Sequence, residues 1–224
     1  MLSRLLIDKT ALRNNLQQLS ALSVGADAIC VPVLKANAYG HGLQQVFECL
    51  HGLPSVSWIA VNYIEAARQL RSLGFGGRIL IVGPTTDANR SAQAAQELDL
   101  DLQAYDPAQF DQYSAKIDLS RIHIKIDTGL GRQGSLPDTW KIYFAAKVSE
   151  QKTGVMKLGG MSMHFANVED VQEHSYAQMQ RKQFENFLVD LAEMQVSADR
   201  IHSDASSSHI LFSDASTNFK IECT

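Results

Sequence analysis

The chain has 224 residues, 45% of them hydrophobic and 20% charged, an ordinary globular composition with enough apolar material for one core. A net charge of −4 and a pI near 6.0, with no run of Lys or Arg, argue against a nucleic-acid partner. No apolar run reaches the roughly 18 residues of a membrane span, and the apolar stretch after Met1 is too short for a signal peptide.

Residues 5–7 (Leu-Leu-Ile) predict a short strand, followed by a helix from about Asp8 or Thr10 with Leu12, Leu16 and Leu19 on one stripe. Cys30–Leu34 predicts a strand and Leu43–His51 a helix. After a strand at Ser57–Val61, Asn62 predicts an N-cap, with Glu65 completing a capping box. Ile64, Ala67 and Leu70 form the buried face of that helix and Gly74 ends it. Arg78–Val82 predicts a strand, 88–97 a polar, alanine-rich helix, and Leu98–Ala104 the next strand. Asp106 and Pro107 read as the N-cap and first residue of a helix to about Lys116. Arg121–Ile126 predicts a strand, Asp138–Glu150 a helix and Lys157–Met163 a strand. A long helix over Tyr176–Gln195 turns Met179, Phe184, Phe187, Leu188 and Leu191 inward. Arg200–Ser203 predicts another strand, and Phe219–Cys223 begins the last.

Alternating strands and helices predict a parallel sheet with helical crossovers. From Cys30 onward there are seven predicted strands and an eighth at Phe219, the count of a (β/α)8 TIM-type barrel whose last strand is incomplete. An open doubly wound sheet is the rival, and periodicity alone does not separate the two. Length favours a single domain over residues 1–224. Cys30, Cys49 and Cys223 are odd in number and lack metal-ligand spacing, so they read as reduced thiols of a cytoplasmic protein, with no metal expected.

Four runs carry chemistry. The first is Val31-Pro-Val-Leu-Lys-Ala-Asn-Ala-Tyr-Gly-His-Gly42, an apolar strand that delivers Lys35 to its end, with Tyr39 and His41 in the turn. A lysine at a buried strand end is costly unless its charge is used or lost. That is the situation of an amine poised to form an imine; the alternative is a snorkelling side chain. The second is His123-Ile-Lys-Ile-Asp-Thr-Gly-Leu-Gly-Arg-Gln-Gly134. As a strand it puts His123, Lys125 and Asp127 on one face and Ile122, Ile124 and Ile126 on the other. The charged face must be wet, paired or catalytic, or a satisfied polar network inside a barrel. The same run contains a literal G-x-G-x-x-G at Gly129, Gly131 and Gly134, with Glu150 further on, as in a dinucleotide site. Its mid-chain position and Pro137 argue against that use. The third, Gly159 to Asp170, puts Gly160, Ser162 and His164 on one face, and the fourth, Arg200 to Ser208, offers hydroxyls at Ser206, Ser207 and Ser208. A capped helix start at Asp204 is the plain reading of the last.

Lys35-Ala-Asn-Ala-Tyr-Gly-His-Gly42 resembles, without interruption, the cofactor-attachment segment of the alanine racemase family. The runs at Lys125–Gly134, His164-Phe-Ala and His202 with Ser206 resemble later segments of that family in the same order. The resemblance implies a barrel that binds pyridoxal 5'-phosphate (PLP) and racemises an amino acid, most of all L-alanine to D-alanine for cell-wall precursors. It implies that Lys35 forms the Schiff base with PLP and serves as one acid/base. Tyr39 and Ser206 would bind the phosphate, Arg132 the ring oxygen and the substrate carboxylate, and His164 would stack on the ring. Lys125 matches a lysine that is often carbamylated. Asp204 and Ala205 depart from the family's Ala-Asn pair, and a carboxylate at 204 would repel a phosphate. The family's C-terminal β-domain, with its catalytic tyrosine, has no counterpart in residues 1–224, so the expectation is an N-terminal portion of a homodimeric enzyme, weakly active or inactive alone. Two other readings stand beside it: a single-domain PLP carrier without catalysis, and a nucleotide-dependent oxidoreductase using the glycine run.

Overall fold

The computed structural model describes residues 5–21, 29–150, 154–168, 173–203 and 221–223. Strands and helices alternate: α1 (Lys9–Ala21), α2 (Lys35–Tyr39), α3 (Leu43–Leu50), β1 (Trp58–Val61), α4 (Ile64–Ser72), β2 (Arg78–Ile81), α5 (Ala88–Leu98), β3 (Leu100–Ala104), α6 (Pro107–Ser114), β4 (Ile122–Lys125), α7 (Pro137–Glu150), β5 (Met156–Met163), α8 (Ser175–Glu193), β6 (Val196–Ser203) and β7 (Ile221–Cys223). The seven strands form one sheet in chain order, every pair parallel. A doubly wound sheet reverses its strand order at a switch point, so that rival is excluded for these strands.

The predicted strand at Cys30–Leu34 is reduced to bridging. Val33 pairs with Ala60 in parallel, Leu34 donates to the Ala60 carbonyl at 2.8 Å, and Ala60 donates to the Pro32 carbonyl at 2.9 Å. Pro32 has no N–H to extend the ladder. The described residues thus show a seven-stranded curled sheet with this segment on its first edge, rather than a closed ring of eight. Curvature is visible in the side chains. In a flat sheet β1 and β4 lie ~14 Å apart, yet the rings of Trp58 and His123 meet at 5.8 Å between centroids.

Pairing register sorts the concave face into two halves. Val31, Trp58, Ala60 and Leu80 form a small apolar cluster. Beyond it Asp101, Gln103, His123, Lys125, Ser162 and His202 are all buried and polar. The opposite face, including Ile59, Ile79, Leu102 and Ile124, joins the main core under the helices. There Phe110, Trp140, Tyr143 and Phe144 pack edge-on and stacked, with centroids 5.1–6.2 Å apart.

The caps follow the sequence with one correction. Asp106 accepts from Gln109 N at 2.8 Å ahead of Pro107, and Asp8 accepts from Ala11 N at 2.9 Å. Gly74, at φ 88°, ends α4 as expected. The capping box at Asn62 is not formed: Tyr63 occupies the N-cap and supplies no side-chain bond. Residues 5–7 form no strand. No helix among the described residues is long and apolar enough to cross a membrane.

Candidate active site

Lys35 opens α2, a single turn whose next four residues all have positive φ: Ala36 51°, Asn37 56°, Ala38 52° and Tyr39 54°. Left-handed backbone costs an L-residue roughly 1–2 kcal/mol, so the turn persists only because its surroundings over-determine it. Asn37 contributes two bonds. Its carbonyl accepts from Gly42 N at 2.9 Å and its Oδ1 from Leu43 N at 2.7 Å, which caps α3 with the turn's own side chain. Buried Ala38 anchors the turn, and His41 Nδ1 lies 2.9 Å from the Ala38 carbonyl.

The turn places Lys35 over a cavity of about 520 Å3 lined by Lys35, Tyr39, Gln103, Lys125, Arg132 and His164. Five of the residues singled out by sequence therefore converge: Lys35, Tyr39, Lys125, Arg132 and His164. Ser206, with Asp204 and Ala205, lies outside the described residues. Lys35 is half-buried rather than fully buried, with Nζ 5.7 Å from the Tyr39 ring centre; Tyr39 and Arg132 are exposed.

Lys125 is buried, and its Nζ donates to the Met163 carbonyl at 3.0 Å. Burial drives its ionisation well below the usual ammonium range, and the charges of Arg132 and Lys35 add to this while Asp127 opposes it. Its backbone carbonyl accepts from Trp140 Nε1 at 2.9 Å, so an indole from the outer layer grips the strand. His164 is pushed down to about 3, by burial first and then by Lys125, Arg132 and Lys35. It is therefore a neutral imidazole at pH 7, and its buried Nδ1 has no hydrogen-bond partner among the described residues. Gln180, fully buried on α8, accepts from Ala166 N at 2.9 Å and donates to the His164 carbonyl at 3.4 Å, fixing the segment that carries the imidazole.

The glycine run is closed on itself. Gly129 N and Gly131 N donate to the Asp127 carboxylate at 2.9 and 3.0 Å. The backbone donors that a pyrophosphate would need are occupied by an internal anion. Tyr176 OH donates to the Gly129 carbonyl at 2.8 Å and holds the loop against α8.

Sequence reasoning missed Gln103, which lines the cavity and donates to Ser162 Oγ at 2.6 Å. It also missed Tyr105, whose hydroxyl donates to the Val82 carbonyl at 2.5 Å and whose ionisation burial pushes up. Both stand on β3 or its end in an unremarkable alternation, and nothing local marks them. Chemically, the cavity joins three basic side chains, one of them pushed toward its neutral form by burial, to a neutral imidazole with an unsatisfied nitrogen. Such a set suits an anionic, planar ligand beside a condensable amine.

Residues 7–221 match the family profile described as "Alanine racemase, N-terminal domain". The chain is 32% identical over 210 residues to the alanine racemase of Leptospira interrogans, covering 93% of this chain and 52% of that protein. It is 31% identical over 190 residues to the alanine racemase of Methanococcus maripaludis, covering 84% and 49%. Among solved structures, the alanine racemase of Streptomyces lavendulae aligns with a TM-score of 0.78 at 26% identity, over 97% of this chain and 56% of that one. The Bacillus anthracis alanine racemase with bound L-Ala-P aligns with a TM-score of 0.76 at 26% identity, over 97% and 55%. The chain spans about half the length of the curated relatives it matches.

Proposed function

The chain belongs to the alanine racemase N-terminal domain family, and from that premise we propose that residues 1–224 are the cofactor-binding half of a PLP-dependent racemase acting on alanine in the cytoplasm. The observation that carries this reading is the convergence of Lys35, Lys125 and Arg132 with neutral His164 on one cavity. The residues fit PLP: Lys35 would hold it covalently, Tyr39 and Ser206 its phosphate, and the ring face of His164 its aromatic plane. The unsatisfied Nδ1 of His164 marks a place where a polar group is wanted. We further propose that the curled sheet closes as an eight-stranded barrel around this cavity, with the segment at Val33 and the chain after β6 completing the ring.

When bound, PLP supplies an electron sink that acidifies the α-hydrogen of an amino acid. The rest falls to side chains. Arg132, which is exposed on the cavity and makes no ion pair among the described residues, holds the substrate carboxylate. Lys35 takes or returns the α-proton on one face. Inversion needs a second acid/base on the opposite face, and we assign it to polypeptide other than residues 1–224, within a homodimer. Burial favours the neutral amine of Lys125, the form that attacks carbon dioxide. A new N–C bond with release of one proton gives a carbamate, an anion suited to hold the Arg132 guanidinium.

The test is PLP addition to the 224-residue protein, borohydride reduction and peptide mapping. The pyridoxyl group is expected on Lys35 and absent from Lys35→Ala. Label on other lysines but not Lys35 would overturn the assignment. Retention of PLP without exchange of the alanine α-hydrogen for deuterium would leave a carrier instead of half a racemase.

A further inference from the structure

Three buried groups outside the proposed chemistry climb the concave face one layer at a time. Asp101 is level with Leu80, His123 with Gln103 and Gly160, and His202 with Ser162 and Lys125. Their exposures are 0%, 1% and 2%. His123 Nδ1 lies 3.1 Å from His202 Nε2. On its other side His123 Nε2 is 3.8 Å from Asp101 Oδ2 and has no hydrogen-bond partner among the described residues. Asp101 is gripped by Arg78 through two bonds of 2.9 Å and by Arg121 through a third of 2.9 Å. The sheet makes room for this stack. A β-carbon at Gly160 would lie 2.7 Å from His123 Cε1, and one at Gly159 would lie 3.1 Å from Nε2. Glycines inside a strand mark such close approaches.

One proton, and only one, must lie between the two rings. We propose that Asp101 and His123 set the tautomer of His202: His123 carries its proton on Nε2, facing Asp101, and accepts the Nε2–H of His202 on Nδ1, so His202 keeps Nδ1 as a lone-pair acceptor in the layer of Lys125. The carboxylate at the Asp101 end aligns the pair in this sense. Below stands the Asp101 carboxylate, with Arg78 on both of its oxygens and Arg121 on Oδ1. Above stands Lys125, beside the charges of Arg132 and Lys35; Arg200 is level with Gly160 and so with the layer of His123. The reverse arrangement would press the His123 Nε2 lone pair against a carboxylate oxygen 3.8 Å away. Burial, then His123 and Lys125, push the ionisation of His202 well down, so the ring stays neutral. His123 is thus a positioning residue: it orients the acceptor on His202, which in turn faces the electrostatics of the proposed cofactor cavity. That last step rests on the proposed function; the tautomers are read on protein without PLP, so the two fail separately.

The experiment is long-range 1H–15N correlation on the histidine-labelled 224-residue protein. Pyrrole-type Nε2 and pyridine-type Nδ1 are expected on both His123 and His202. A pyrrole-type Nδ1 on His123, or an imidazolium pattern on either ring, would overturn the proposal. Asp101→Asn is expected to spread His123 over both tautomers. Because that variant also loosens two arginines, His123→Asn and His123→Leu give an independent arm. The asparagine Oδ1 can still accept from His202 Nε2 and should keep the His202 pattern, whereas leucine should release it. An unchanged His202 pattern in His123→Leu would sink the idea.

Discussion

Replacing Ala36 with glycine probes the left-handed turn that carries Lys35. Ala36 has φ 51° and ψ 48° and is exposed, so the change removes no buried contact. Relief of strain contributes roughly 1–2 kcal/mol, because glycine has no β-carbon to clash. The wider unfolded ensemble of glycine offsets about 0.4–1 kcal/mol of this. Ala36→Gly should therefore be more stable by up to about 1.6 kcal/mol, or up to ~6 °C in Tm for a chain of this size. Ala36→Val is the mirror experiment: a β-branched residue at positive φ is an outlier, and the variant should lose about 1–3 kcal/mol. Urea denaturation and thermal melting of both variants supply the measurement. A loss of stability in Ala36→Gly, or none in Ala36→Val, would show that the backbone is not left-handed in solution. The stakes are large, since four such residues in a row hold roughly 4–8 kcal/mol of strain against a typical net stability of about 5–15 kcal/mol.

Acid titration follows from His164. Its folded ionisation lies at about 3 against an ordinary 6.5, so between those values the unfolded chain holds a proton that the folded protein does not. Stability from this residue is complete above pH 6.5 and declines as pH falls toward 3. His164→Gln should flatten that part of the stability profile; identical slopes would remove His164 from the account. Gly160→Ala pushes a methyl into the His123 ring and should cost roughly 1–3 kcal/mol by overpacking, read from the urea midpoint. A neutral result would mean that the ring has room to move.

Much of the architecture was legible because periodicity reports burial. The order of strands, the Asp106-Pro107 start of α6 and the stop at Gly74 all rest on local chemistry that tertiary packing left in force. The convergence of Lys35, Lys125, Arg132 and His164 was legible through family resemblance, not through spacing, since only the sheet brings residues so far apart in sequence together. Three features were not legible. Ala36, Asn37, Ala38 and Tyr39 carry no glycine to announce positive φ, and the bonds that hold them reach forward to Gly42 and Leu43. Asp101 looked like one polar residue in an alternating strand, and its partners Arg78 and Arg121 lie 23 and 20 positions away. The missing capping box at Asn62 shows local propensity yielding to packing: the Asn62 carbonyl lies so close to Gly83 that a β-carbon there would overlap it. One signal was available and unused, the paired glycines at 159 and 160, which mark a bulky neighbour across the sheet.

The indole of Trp140 ties α7 to the backbone of the strand whose lysine faces inward. Alignment of the proposed cofactor chamber is thereby governed from outside it. Any substitution that lets this helix slide along the sheet would drag the amine at position 125 off its station without touching a single chamber-lining atom, and would be misread as a defect in chemistry when the fault is one of scaffolding.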